Sequence, residues 1–131
     1  MGTLLRSVAT LLDKEAVSSA STVGTDHLLR PASDSVPDRL QDFAVQFILT
    51  GSSMTSATVI AKVQTSWDNI NWIDIATSTT LNADGNITEI KPTADHIGPY
   101  VRASVAITGT VTYDAKVLLI SDARFTLGTV S

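Results

Sequence analysis

Four stretches of this chain alternate their residues with a period of two, and that pattern leaves little room for anything but β-structure. Phe43, Val45, Phe47 and Leu49 alternate with Ala44, Gln46 and Ile48. Val59, Ala61 and Val63 alternate with Thr58, Ile60, Lys62 and Gln64. Val101, Ala103, Val105 and Ile107 face one way, and Tyr100, Arg102, Ser104, Ala106 and Thr108 the other. Tyr113, Ala115, Val117 and Leu119 do the same against Asp114, Lys116, Leu118 and Ile120. Successive side chains of a strand point to opposite faces, so each stretch predicts a strand with one face in the core. The composition agrees, since Thr, Ser, Val and Ile are frequent and Glu and Lys are scarce. β-Branched side chains suit a pleated sheet and crowd a helix.

Turn chemistry divides the strands. Gly51-Ser52-Ser53, Asp68 to Asn71, and Gly109-Thr110 read as turns, and Asp84-Gly85 suits a hairpin turn that needs positive φ. Residues 31–42, with Pro31 and Pro37, read as a loop. Ile87 to Lys91 is a short strand stopped by Pro92, and Arg124 to Leu127 can close the set. Residues 1–21 mix helical and strand spacing; they are assigned to an extended N-terminal arm and a first strand, with Asp13-Lys14-Glu15 as its turn. About eight strands result, with no βαβ alternation. The expected fold is all-β: a two-sheet antiparallel sandwich of jelly-roll type over residues 22–131. Each sheet is expected to turn one apolar face inward and one polar face to water.

At 131 residues the chain fits one domain that buries a core without staples. It has no cysteine, which rules out disulfides, thiolate metal sites and a Cys nucleophile. The net charge of −4, with no Lys/Arg run, argues against phosphate neutralisation and so against nucleic acid as a partner. The longest apolar run, Phe43 to Leu49, is far too short to span a membrane. Val8 to Leu12 makes a poor signal peptide, so synthesis and retention in a cytoplasm are expected until assembly or release.

Motifs for chemistry are sparse. Only His27 and His96 could serve as a base, and no Gly-x-Ser-x-Gly surrounds a serine. Asp68-x-x-Asn71 and Asp84-Gly85-Asn86 look faintly like calcium loops, but both lack the closing Glu and both have the residues that tight turns demand. Asp74 and Glu89 are the candidate paired carboxylates, for which mid-strand surface acids are the plainer reading. No phosphate-binding glycine loop occurs, and the Asn86-Ile87-Thr88 sequon is read as a chance match. No enzyme activity, cofactor or metal is expected. The candidate contact residues, for a protein interface or a glycan, are Trp67, Asp68, Asn69, Asn71 and Arg102. Trp72 is assigned to the core, opposite Ile73 and Ile75; Trp67 stays open between core and stacking platform.

Two stretches carry a resemblance. Val63-Gln64-Thr65-Ser66-Trp67-Asp68-Asn69-Ile70-Asn71-Trp72-Ile73-Asp74-Ile75 resembles a pattern in small structural proteins of tailed bacteriophages, where a strand ends in a Ser-x-Asp turn followed by Trp and another strand. Gly98-Pro99-Tyr100-Val101-Arg102, running on to Gly109-Thr110, is similar to the Tyr-Val-Arg strand and Gly-Thr turn of the same proteins. Together they cover about residues 58–120. The resemblance implies a virion protein, most plausibly a capsid decoration (cement) protein of the outer shell, with the major capsid protein or other virion proteins as partners and often a homotrimer. A tail, neck or head-spike component stands beside it, and a carbohydrate-binding module is the alternative from another class.

Overall fold

The computed structural model describes residues 7–24, 26–31, 43–93, 97–121 and 125–129. Among these, all regular structure is strand: β1 (Ser7–Ser18), β2 (Thr22–Val23), β3 (His27–Pro31), β4 (Ala44–Ser66), β5 (Ile73–Thr77), β6 (Gly85–Pro92), β7 (Tyr100–Ser121) and β8 (Phe125–Thr129). No helix among them is long and apolar enough to cross a membrane. Residues 1–6 of the expected arm, most of the 31–42 loop, and His96 lie outside the described residues.

Two long strands organise everything. β4 has 23 residues and β7 has 22, and they pair antiparallel from Ala44↔Ile120 to Ser66↔Tyr100. β6 adds to the first half of β4 and β5 to its second half. β1 adds to the C-terminal half of β7, while β2 and β3 add to its N-terminal half, and β8 extends β3. The eight strands therefore form one hydrogen-bonded antiparallel sheet, where two separate sheets were expected.

The difference has a physical cause. Gly51-Ser52-Ser53 and Gly109-Thr110 do not reverse the chain. They fall opposite one another in register (Ser52↔Thr112, Thr55↔Thr110, Thr58↔Thr108), and the ladder shifts there without stopping. Ser53, Ser56 and Gly109 take positive φ values of 53°, 44° and 72°. Irregularities matched on two partner strands bend the pair together and leave it paired on either side. Four predicted strands thus become two.

Alternation is kept across the bend. Val45, Phe47 and Leu49 before it, and Val59, Ala61 and Val63 after it, all point into one core with Val101, Val105, Val111, Tyr113, Val117 and Leu119 of β7. Burying each large apolar side chain contributes roughly 1.5–3 kcal/mol. Tyr113 is fully buried, and its hydroxyl donates to the Ala20 carbonyl at 2.7 Å, which ties the β1–β2 connection to the core.

β1 runs through Asp13-Lys14-Glu15, so the expected turn there is a strand irregularity instead. Its register on β7 shifts between Thr10 and Leu12 and again between Lys14 and Val17, where Ala16 has φ 51°. A bulge lets two neighbours face one way, and here both Leu11 and Leu12 are buried. Asp84-Gly85 does not close a hairpin either. β5 and β6 each pair with β4, on opposite sides of the bend, and residues 78–84 cross between them. Leu81 bridges Val59 on the way, and the Asp84 carboxylate accepts the Met54 N–H at 2.9 Å.

The outward face is less polar than expected. Register places Pro92, Ala44, Ile120 and Val8 side by side across β6, β4, β7 and β1. The next outward row is Ile90, Gln46, Leu118 and Thr10, and the third is Thr88, Ile48, Lys116 and Asp13. Paired residues share a face, so this half of the sheet carries apolar residues on both sides, the outward ones giving way to Thr88, Lys116 and Asp13 in the third row.

Candidate functional site

The connection from β4 to β5 is built around one carboxylate. Asp68 Oδ1 accepts the backbone N–H of Ile70 at 2.9 Å and of Asn71 at 2.8 Å, and the Ser66 hydroxyl at 2.9 Å. Its Oδ2 accepts the Asn71 side-chain amide at 2.7 Å. These are the local bonds by which an Asp shapes a turn. The Asn71 N–H, then the Ile70 N–H, the Asn71 amide and the Ser66 hydroxyl, hold this carboxyl well below the usual carboxylate range. Asn69 adopts φ 60°, a left-handed conformation that its residue type tolerates, and its Oδ1 is buried without a hydrogen-bond partner.

The outcome is a fixed loop that holds apolar side chains out in water. Trp67 is 69% exposed and Ile70 is 77% exposed. Trp67 leans on Gly98, where an added Cβ would lie 3.0 Å from the indole and 2.5 Å from the Ser66 carbonyl oxygen. The buried Thr65 hydroxyl accepts the Gly98 N–H at 2.8 Å and donates to the Tyr100 carbonyl at 2.9 Å, anchoring the strand beneath.

Two expected outcomes follow from this loop. Trp67→Ala should change stability by about 0.5 kcal/mol or less, as for an exposed residue; a thermal melt checks it, and a loss of several kcal/mol would place the indole in the core. For Asp68 the folded pKa is lowered, so its contribution is complete above the ordinary carboxylate value of about 4. It is lost as the pH falls below that value. Protection of the Ile70 and Asn71 amides from exchange, taken relative to their intrinsic rates, should therefore fall in strong acid, while in Asp68→Asn it should be low already at neutral pH. Equal protection in the two proteins at pH 7 would contradict the role given to the carboxylate.

Arg102 sits on the outward face, half-buried, in a cross-strand ladder. Its Nε donates to Gln64 Oε1 at 2.9 Å, and Gln64 Nε2 donates to Asp74 Oδ1 at 2.9 Å. Asp74 Oδ2 lies 3.3 Å from Lys62 Nζ, and Asp26 Oδ1 is 3.9 Å from the Arg102 guanidinium. That guanidinium covers the Trp72 ring, 4.2 Å from its centroid. Trp72 is thus half-buried on the outward face and not in the core, because a stacked cation covers it there. A register shift between Val63 and Gln64 also breaks simple alternation on β5, where Ile75 and Ala76 are both buried and Ile73 is exposed.

The five candidate contact residues thus cluster at one end of the sheet. Trp67, Asp68, Asn69 and Asn71 belong to one loop, and Arg102 reaches that loop through Trp72. Within the cluster Asp68 and Asn71 hold the loop together, while Trp67 faces solvent. Two participants escape a reading of the sequence. Gln64 and Asp74 link Arg102 to Lys62, which follows only from register. Ile70 left one signal, an apolar residue inside a turn of Asp and Asn. Elsewhere, Glu89 accepts the Thr79 N–H and hydroxyl at 2.6 and 2.9 Å, so it and Asp74 each serve their own neighbours. His27 lines a shallow cavity of about 260 Å³ with Asp13 and Lys14. Among the described residues, no group of three His, Asp or Glu side chains is placed to hold a metal ion.

Comparison of the chain with protein families, with curated proteins and with solved structures finds no match.

Proposed function

We propose that this chain is a non-enzymatic virion structural protein, most specifically a capsid decoration protein on the outer shell of a tailed bacteriophage. The finer reading of its fold, a jelly-roll-like sandwich made by folding the bent sheet over its core, belongs to the same proposal. One observation supports it best. The two stretches that resemble phage structural proteins, far apart in the chain, are neighbours in space. Gln64 pairs with Asp74 on one side and with Arg102 on the other, and Trp72 lies under Arg102. A Trp-bearing loop held in place by its own Asp68 is suited to making contact, since an exposed aromatic brings large area at little entropic cost. The partners in this reading are the major capsid protein or other virion proteins, with no nucleic acid or membrane. The location is the capsid surface after synthesis in the host cytoplasm. A homo-oligomer, with the trimer favoured, completes it, as the resemblance implies.

Pelleting phage shells stripped of decoration protein, after mixing with the purified chain, tests the proposal. Binding to assembled shells, but not to unassembled coat protein, is the expected result. No binding to shells, with binding to isolated tails or necks, moves the chain to the tail, neck or spike reading. A carbohydrate-binding module draws support from the exposed Trp67, but its polar neighbours Asp68 and Asn71 are already engaged within the loop. A glycan array without hits removes that reading.

A further inference from the structure

The outward face of β6, β4, β7 and β1, apolar in its first row, is covered by no other described strand, and we infer that it is the surface on which a second copy of this chain docks. Val8 is 59% exposed and Ile90 is 61% exposed at its two margins, with Leu118 and Ile120 half-buried between them. Strands carrying apolar residues on both faces occur where both faces are covered. This one has its inner face on the core, and no other described strand packs across its outer face.

Three observations make another copy of the chain the occupant. The first is charge. The patch is bounded on one side by Lys116, Asp13 and Asp114, all exposed and of both signs. Such a margin is self-complementary, since the lysine of one copy can meet an aspartate of the next, as symmetric contacts require. The second is the condition of the strand edges. β1 is interrupted by two register shifts, β6 ends in Lys91-Pro92, and β5 has only five residues. Bulges, proline, lysine and short length all blunt an edge against strand addition. Association is thereby directed to the face. The third is area. Four strands about 4.8 Å apart and the first two outward rows make a patch of about 260 Å², which the charged third row brings to about 400 Å². Two copies meeting over all three rows bury on the order of 800 Å², the size of a weak, transient contact. The assembly is therefore concentration-dependent, and it closes as a twofold pair or with three such faces turned to a common axis.

This inference deepens the oligomer named above but does not depend on the virion assignment. Sedimentation equilibrium on the full chain, from low to high micromolar concentration, tests it alongside Val8→Lys/Ile90→Lys. Both sites are exposed, so the variant keeps the core; a thermal melt confirms that it is folded. The weight-average mass of the wild type should rise from one 13.9 kDa chain towards two or three. The double variant should stay at one chain throughout, and Trp67→Ala should behave as the wild type. A wild type that remains a single chain over the whole range overturns the inference, as does a folded double variant that still associates. If the face drives association yet no shell is bound, the interface stands and the virion assignment falls; shell binding by a persistent single chain gives the reverse.

Discussion

Phe47→Ala lowers the stability of this fold by about 3–5 kcal/mol, the range for truncating a fully buried phenylalanine. Phe47 has no exposed surface and lies mid-way along the first half of β4. Its register partners are Val117 of β7 and Glu89 of β6, so it is held between strands on both sides. The void cannot collapse easily, because β4 is hydrogen-bonded along both edges there and moving it would break two ladders. A domain of this size has only about 5–15 kcal/mol in hand, so the variant sits close to the limit of folding. Urea unfolding of the two proteins measures the difference. A loss below about 1 kcal/mol would mean that the site repacks and is not the rigid centre described above.

Gly109→Ala should be nearly as severe, by a different route. Gly109 has φ 72°, where a side chain costs roughly 1–3 kcal/mol in backbone strain. A Cβ there would also lie 2.3 Å from the Ser56 carbonyl oxygen and 2.8 Å from the Ala57 Cα. Both are backbone atoms of the opposing bend and cannot step aside as a flexible side chain would. The matched irregularities of β4 and β7 must then separate, and the β4–β7 ladder loosens where the sheet bends. The expected loss is about 2–4 kcal/mol, from the strain together with the displaced pairing. The neighbouring exposed Thr108→Ala, which gives up only a hydroxyl bond to Thr58, should cost far less. Equal losses at the two positions would show that the close approach of the two bends is not what demands glycine.

The chain shows plainly which residues lie inside. Every alternating residue assigned to the core between Phe43 and Leu49, and between Tyr113 and Leu119, is buried. That legibility follows from covalent geometry, because a strand must put odd and even residues on opposite faces whatever surrounds it. The Asp68 turn is legible for a similar reason: its bonds run to residues two and three further along the chain. Within the candidate site, the exposed Trp67 loop could be located from sequence, but the Arg102 ladder could not. Its members Gln64, Asp74 and Asp26 lie on other segments, and only register brings them together.

What the sequence determined by itself is therefore local: the β class, the inward face of the long alternating stretches, and the turn built on Asp68. Tertiary structure decided what depends on partners. Gly51-Ser52-Ser53 and Gly109-Thr110 have the residues of turns, yet each meets the other across β4 and β7, and an irregularity opposed by another becomes a bend within a continuous ladder. Trp72 faces outward because Arg102 of another strand covers it. Ala44, Ile48, Leu118 and Ile120 look like minor lapses in two separate polar faces until pairing sets them beside Val8 and Ile90. Alternation is a property of one strand, whereas a surface is the sum of neighbours, and neighbours are chosen only when the sheet forms.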